Sequence, residues 1–397
     1  MKCARDLGSR SLQMVGRLAM AMAVLSSCGP REPGLPVLDP MTTYHAIIAQ
    51  LDPHFPGRGL DVFNDTVKDR AMAYALILRA EANRFASTAA PDARDRVMTC
   101  TAWLMANSDL NGDGIPGFGL ADPWDAFGDG TTNPAYQEYV ITTAMCVEAL
   151  QDRYALLDDT AGLTAMRDLV LACVEPFLSD RYDSPGGLLT YSRNPNDAMH
   201  DVFNSSIHMA GQLQRMSSWV EDQAVRERLR RKADGIIKVL VAHQKRTEEG
   251  ALFWTYGLAP NSPPNDLLHA SYIVEGIREY RAFGGSAVVD LDAAVANFEA
   301  FADPPHWYEN SVADWQEDPY ATRLWSLGQL LYTLAKEGQN DEIEGTLWPQ
   351  LCQYQVGQGR FKMKRDDDRV LVRHQAHVLL GASYFLFPPR PRELMVE

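Results

Sequence analysis

Two stretches of this chain share one pattern: Leu268-His-Ala-Ser-Tyr-Ile-Val-Glu-Gly276 and Arg373-His-Gln-Ala-His-Val-Leu-Leu-Gly381. Each begins with polar side chains capable of chemistry and continues almost wholly apolar. When the two stretches are aligned on their final glycines, the first histidines superpose, and so do Tyr272 and His377 three positions later. Positions i and i+3 share one face of a helix. The pattern therefore predicts buried helices that present a site at their beginnings.

Three further stretches keep this layout with different residues. Asn204-Ser-Ser-Ile-His-Met-Ala-Gly211 is the nearest, and Tyr136–Ala144 and Tyr320–Gly328 are more distant copies. A unit that recurs with an apolar interior and a polar beginning predicts a ring of helices with a site at one rim.

The N-terminal residues have the features of a secretory signal. A basic stretch precedes the short apolar run 18–25, which is too short to span a membrane, and small residues and Cys28 follow. The run 25–28 resembles a bacterial lipobox, whose cysteine is lipidated. We therefore predict a signal peptide over 1–27, a lipidated tether over 28–40 and one domain over 41–397. An ordinary cleaved signal is the alternative.

Localisation and charge follow from these features. A lipid at Cys28 would anchor the protein to a membrane of the bacterial cell envelope, facing the periplasm or the exterior. The net charge of −15 disfavours nucleic acid as a partner.

Four cysteines remain after Cys28, and all of them lie in apolar helical contexts. This favours buried thiols, although an oxidising compartment would also permit disulfides. The four are Cys100, Cys146, Cys173 and Cys352.

Hydrophobic periodicity predicts an all-α protein. The helix at 221–245 is amphipathic, whereas its neighbours at 203–219 and 265–283 are apolar nearly all round. Half-exposed helices that alternate with buried ones are what an outer barrel around an inner barrel requires. Helix 370–386 would complete a sixth hairpin with a segment at 41–51. The other predicted helices are 66–85, 91–107, 135–156, 159–179, 288–302, 319–337 and 341–353.

This arrangement resembles the (α/α)6 toroid of six-hairpin glycosidases and toroidal polysaccharide lyases over residues 41–390. The resemblance implies a saccharide-active protein with an oligo- or polysaccharide as its partner. Short β-hairpins are expected in the rim loops at 186–192, 250–257 and 359–363. An α-solenoid that binds a partner along a concave face is the alternative.

A long loop at 107–134 carries the pattern Asp109-x-Asn111-x-Asp113-Gly. Oxygens at alternate positions can wrap a calcium ion. However, the twelfth position is Leu120, where a bidentate acid is expected. The loop predicts either a structural calcium site at the first three residues or a metal-free loop rich in Asx turns; no cofactor is expected to be required.

Acids and aromatic residues follow in the same loop and in the start of the next helix. Glycoside hydrolysis needs two carboxyl groups across a sugar ring, and aromatic faces hold the ring. We therefore expect Asp125, Asp129 and Glu138 to be the catalytic acids of a glycoside hydrolase. The alternatives are that Asp129 lies in a simple turn and that Asp125 caps a local helix.

The opposite sector supplies tyrosine, histidine, asparagine and arginine, which suit proton abstraction beside a uronate carboxylate. A lyase acting through Asn204, His208, Tyr272 and Arg323 is thus the second hypothesis. A non-catalytic glycan-binding or envelope scaffold protein is the third. Zinc binding by the histidines is disfavoured because they form no dense cluster. The expected substrate-binding residues are Trp124, Tyr139, Asn204, His208, Trp254, Tyr256, His269, Tyr272, Arg323, Arg373, His374 and His377.

Overall fold

The structure is a computed structural model that describes residues 38–156, 162–311 and 321–389. The predicted signal peptide, Cys28 and Tyr320 lie outside the described residues. Within them, no helix is long and apolar enough to cross a membrane.

The described chain is mainly helical, and aspartates begin several of its helices. Four aspartates each accept a hydrogen bond from the backbone amide three residues later: Asp39 from Thr42, Asp222 from Val225, Asp266 from His269 and Asp290 from Ala293. In chain order the helices are α1 Pro40–Gln50, α2 Ala71–Thr88, α3 Pro91–Ala106, α4 Val140–Leu156, α5 Leu163–Val174, α6 Phe203–Met216, α7 Gln223–Ala242, α8 Leu267–Ala282, α9 Leu291–Ala296, α10 Leu324–Lys336, α11 Asn340–Glu342, α12 Trp348–Cys352 and α13 Val372–Leu386.

Six of these helices form a closed inner ring. Helices α2, α4, α6, α8, α10 and α13 each pack against the next, and α13 packs against α2. Each inner helix also packs against one outer helix or outer pair: α3, α5, α7, α9, α11 with α12, and α1. The pairing of α13 with α1 confirms the predicted sixth hairpin, and the fold is an (α/α)6 toroid.

Burial follows the predicted alternation. Every residue of inner helix α6 is buried, whereas outer helix α7 buries only one stripe. That stripe consists of Leu229, Ala233, Ile236, Ile237 and Leu240.

Glycines allow two pairs of inner helices to touch through their backbones. A Cβ atom on Gly211 of α6 would lie 2.8 Å from the carbonyl oxygen of Gly276 in α8. A Cβ atom on Gly381 of α13 would lie 2.7 Å from the carbonyl oxygen of Gly328 in α10. The glycines that end the repeated sequence pattern therefore mark close helix crossings.

Four antiparallel two-stranded hairpins lie in the connections. They are β1 Arg58–Asp61 with β2 Asn64–Asp69, β3 Lys245–Arg246 with β4 Leu252–Phe253, β5 Ala302–Asp303 with β6 His306–Trp307, and β7 Gln355–Gly357 with β8 Arg360–Phe361.

Local details differ from the sequence predictions. The hairpin expected at 186–192 forms only isolated bridges, such as Asp183 with Leu189. The helix expected from residue 66 begins at Ala71, since β2 occupies the preceding residues. The helix expected from residue 135 begins at Val140, because Tyr136 has a φ of 63°, which no helix accommodates.

The cysteines at positions 100, 146, 173 and 352 are free and buried. Burial raises the pKa of the Cys146 thiol well above its usual value, so the thiol stays protonated and packs as a small apolar side chain.

Candidate functional site

The beginnings of the inner helices meet in a collar of side chains around one mouth of the ring. On one side, the rings of Trp124 and Tyr139 lie 5.5 Å apart, and those of Tyr139 and Tyr191 lie 5.6 Å apart. The hydroxyls of Tyr191 and Tyr256 lie close enough to shift each other's pKa. The ring of Tyr256 lies 5.0 Å from that of His269. These contacts join the sectors of α4, α6 and α8.

The other half of the collar contains cations stacked on aromatic rings. The guanidinium groups of Arg323 and Arg373 each lie 4.6 Å from the ring centroid of Trp325. The guanidinium of Arg373 also lies 5.6 Å from the ring of Phe63, which is 5.6 Å from the ring of Trp124. The contacts return to Trp124, so the collar is continuous on this side.

Asp266 joins the two halves. Its carboxylate lies 2.7 Å from Nδ1 of His269 and 3.3 Å from Nη2 of Arg323. Burial raises the pKa of Asp266, but His269 and Arg323 outweigh burial and hold the pKa below its ordinary value. The carboxylate is therefore ionised and fixes both of its partners in the collar.

Beneath the collar, a tyrosine and a histidine form a hydrogen-bonded pair. Nδ1 of His377 lies 2.8 Å from the carbonyl oxygen of Arg373, so this nitrogen carries the proton. Nε2 is then the acceptor for the Tyr272 hydroxyl at 2.9 Å. Burial lowers the pKa of His377 to about 3 and raises the pKa of Tyr272. Both side chains are neutral at neutral pH.

A second histidine is oriented by a buried carboxylate. Nε2 of His208 lies 2.8 Å from Oε2 of Glu148, and Arg79 donates to the same carboxylate at 2.8 Å. Burial raises the pKa of Glu148, but Arg79 and His208 together hold it below its ordinary value. An ionised Glu148 accepts the N–H at Nε2 of His208, and Nδ1 has no hydrogen-bond partner among the described residues.

Several buried polar atoms at the mouth have no hydrogen-bond partner among the described residues. His374 is fully buried and stacks on Trp325 at 4.7 Å, yet neither of its ring nitrogens is bonded. Nδ1 of His208, Oδ1 of Asn204 and Nε1 of Trp325 are also unbonded. An unsatisfied buried polar group costs about 1–3 kcal/mol. These unbonded buried atoms at the mouth indicate a place where a polar ligand or water binds.

The predicted acids Asp125 and Asp129 lie in the rim loop. Both oxygens of Asp125 accept backbone amides, from Phe127, Gly128 and Asp129 on one oxygen and from Gly130 on the other. Asp129 accepts from Thr131 and lies 3.5 Å from His200. The two carboxylates therefore shape their own loop.

Glu138 is buried against the same loop, where it forms a β-bridge with Gly119. It pairs with Arg193 at 2.5 Å, and burial raises its pKa although Arg193 opposes that shift. Its neighbour Tyr139 belongs to the collar, so consecutive side chains point to different environments. None of the three predicted acids contacts the Tyr272–His377 pair or His208.

The loop predicted to bind calcium has the expected acidic cluster with an unexpected third member. Ligand atoms of Asp109, Asp113 and Glu138 lie within 4.8 Å of one another, and this is the only such group in the described parts of the chain. Oδ1 of Asn111 accepts the backbone amide of Asp113. However, Arg193 also reaches Asp113, at 3.3 Å, so a guanidinium already supplies positive charge there. Calcium binding stays a prediction.

Trp254 lies away from the mouth. Its indole donates to the carbonyl oxygen of Leu240 at the end of α7, and its side chain lines a cavity behind α8. The indole of Trp307 donates to the Thr346 hydroxyl.

Three residues that position the side chains of the site were not predicted from the sequence: Glu148, Glu309 and Trp325. Glu309 accepts the backbone amide and the guanidinium of Arg323 and also the Ser326 hydroxyl. Glu148 carried a usable signal, because it is an acid within the otherwise apolar run 144–150. A charge in such a run must find a buried partner.

The fold and the mouth define the class of this protein as an (α/α)6 toroid with a polar axial site. No protein-family model and no curated relative matches the sequence. Among solved structures, an α-mannanase of family GH76 from Bacteroides thetaiotaomicron is 11% identical, with 88% of this chain and 96% of that chain covered and a TM-score of 0.56.

Two other similar structures are enzymes with different activities. A cellobiose 2-epimerase from Spirochaeta thermophila is 12% identical, with 87% and 96% of the two chains covered and a TM-score of 0.51. A polysaccharide lyase is 11% identical, with the same shares covered and a TM-score of 0.52. These similarities show the fold.

Proposed function

We propose that this protein is a saccharide-active enzyme that moves a proton at a sugar carbon next to a carbonyl or carboxyl group. The observation that carries the proposal is the pair of oriented groups beneath the collar: His208 with an unbonded Nδ1, and Tyr272 bonded to His377.

A saccharide suits the mouth for two reasons. Aromatic faces combined with amide, imidazole and guanidinium groups stack on sugar rings and hydrogen-bond their hydroxyls. In addition, the similar structures named above are a mannanase, an epimerase and a polysaccharide lyase.

The proposed chemistry uses His208 as the base. Its Nδ1 takes the proton from the sugar carbon, and the electron pair of the broken C–H bond moves to the neighbouring carbonyl or carboxyl oxygen. The Tyr272 hydroxyl has one proton, so in this step it turns from Nε2 of His377 and donates its hydrogen bond to that oxygen. The ring of Tyr272 lies 5.9 Å from the ring of His208. Return of the proton gives an epimer or isomer, whereas loss of a substituent from the next carbon gives an unsaturated product.

Hydrolysis by a carboxylate pair is the second candidate, and the similarity to a mannanase favours it. It requires acids that face the substrate, and Asp125, Asp129 and Glu138 are held by loop amides and by Arg193. For this reason we place proton transfer first.

The deciding experiment incubates the full-length protein with a panel of neutral and uronate saccharides in D2O. Epimerisation or isomerisation incorporates deuterium at one carbon, whereas elimination gives reducing ends and ultraviolet absorbance from the unsaturated uronate without deuterium at that carbon. Hydrolysis gives reducing ends with neither deuterium nor absorbance. Binding without any product would support the scaffold hypothesis and overturn the enzymatic proposal.

The matched variants are His208→Gln and His54→Gln. His54 is exposed and its backbone amide bonds to Asp52, outside the mouth, so His54→Gln should retain deuterium incorporation. His208→Gln should lose it.

We also propose, from the sequence alone, that Cys28 is lipidated and anchors the protein in the cell envelope. Mass spectrometry of the mature protein should show a diacylglyceryl N-terminus at Cys28. A Cys28→Ser variant that remains in the membrane fraction would contradict the proposal.

A further inference from the structure

An apolar cavity of about 480 Å³ lies behind the wall of the mouth. Ile273 and Val274 of α8 form one side of it, and Phe301, just beyond α9, forms another. Leu252, Phe253 and Trp254, in and next to β4, close a third side. His269 and Tyr272 take part in the mouth, so α8 separates the cavity from the proposed reaction site.

One polar group in this cavity has an unused acceptor. Asn265 lines the cavity and is 6% exposed. Its Nδ2 donates to the carbonyl oxygens of Trp254 and Thr255, at 3.2 and 2.9 Å, which fixes the orientation of the amide. Its Oδ1 has no partner among the described residues. A buried acceptor without a donor costs about 1–3 kcal/mol, so a ligand that supplies a donor would recover that cost.

We propose that this cavity binds a small amphiphilic molecule with an apolar body and one hydroxyl group, and that the hydroxyl donates to Oδ1 of Asn265. The inference is independent of the proposed proton transfer. It accounts for the apolar lining and for the unbonded acceptor together.

The dimensions of the cavity suit this class of ligand. Ligand pockets are typically about 300–1,000 Å³, mostly apolar, with few polar groups that fix orientation. An apolar cavity of about 150 Å³ is large enough to bind benzene. A cavity of about 480 Å³ therefore accommodates an alkylated aromatic ring.

The test compares two probes by isothermal titration calorimetry on the full-length protein. 4-Propylphenol has the hydroxyl donor, and 4-propylanisole is its methyl ether without the donor. We expect the phenol to bind roughly 2- to 12-fold more tightly, which corresponds to one net hydrogen bond. Failure of both probes to bind overturns the proposal, and equal affinities overturn the role of Asn265.

Two variants fill the cavity and one serves as control. Ala294→Phe and Ala300→Leu place atoms where the ligand would lie, since both alanines line the cavity. Ala242→Leu adds similar bulk at an exposed position of α7. Loss of phenol binding in a folded cavity variant, with binding retained in Ala242→Leu, supports the proposal. Unchanged binding in both cavity variants overturns it.

Discussion

The two ends of the inner ring differ in their buried polar side chains: unbonded atoms lie on His, Asn and Trp at the mouth, whereas the deep side chains are mostly charged. At the mouth, His374, Asn204 and Trp325 leave buried polar atoms unbonded. Deeper in the ring, charged side chains find opposite charges: Arg79 reaches Asp152 at 2.8 Å, and Arg215 reaches the same carboxylate at 2.6 Å. Arg215 in the deep region is paired but also keeps Nε and Nη2 unbonded.

The deep network continues around the axis. Lys336 lies 3.1 Å from Glu275 and 3.0 Å from the Tyr332 hydroxyl, which also accepts from Arg79. Paired groups of this kind hold neighbouring helices in one arrangement, whereas unpaired ones are kept for a ligand. The comparison suggests that function resides at the mouth and conformational specificity in the deep network.

The largest expected effect is on activity at the mouth. His208→Gln should lower the rate of deuterium incorporation about 10²- to 10⁴-fold, because a general base is removed. Its free energy of unfolding should change far less than that of a deep-network variant. A rate within a factor of about two of wild type, with the same unfolding curve, would show that His208 is not the base.

The next largest effect is on stability in the deep network. Arg79→Ala leaves Glu148 and Asp152 with less compensation in a buried setting and should cost about 3–5 kcal/mol, measured by urea denaturation. Arg231→Ala on the exposed face of α7 is the control and should change stability by less than about 0.5 kcal/mol. Similar losses of unfolding free energy in Arg79→Ala and Arg231→Ala would show that the deep network stabilises the fold no more than an exposed side chain does.

Acid should weaken the deep network. Burial opposes ionisation of Glu275, but Arg278 and Lys336 lower its pKa to about 2 from an ordinary value of 4.5. A lowered carboxyl pKa stabilises the fold above pH 4.5, and this contribution is lost as the pH falls towards 2. The stability gap between wild type and Glu275→Gln should therefore shrink over that range. A gap that stays constant in urea titrations from pH 6 to pH 3 would exclude this linkage.

The smallest effect has the opposite sign. Replacing His374 by leucine removes two unbonded buried nitrogens, so stability should stay equal or rise by about 1 kcal/mol while saccharide binding weakens. Thermal unfolding and calorimetric titration measure the two quantities. A clear loss of stability would mean that His374 has a structural partner rather than a ligand.

The ring and its polar mouth were predictable because they depend on periodicity. The repeated stretches ending at Gly276 and Gly381 gave both the buried helices and their common polar ends, and Asn204, His208, Arg323 and His374 do converge there. Helix face and helix direction are local properties that a sequence displays.

The roles of individual carboxylates were not predictable in the same way. Asp125 accepts four amides of its own loop, whereas Glu148 pairs with residues 60 or more positions away, and the sequence does not name either set of partners. Trp254 similarly faces the cavity behind α8. Such assignments depend on long-range contacts that neither propensity nor spacing encodes.

The glycine crossings join four inner helices into two closely packed pairs. The pair of α6 with α8 fixes His208 relative to Tyr272, and the pair of α10 with α13 fixes Trp325 relative to His374. The hydrogen bond between Tyr272 and His377 links the two helix pairs. Widening of the barrel between α8 and the pair of α10 with α13 would therefore strain that hydrogen bond together with the Asp266–Arg323 and Glu275–Lys336 ion pairs.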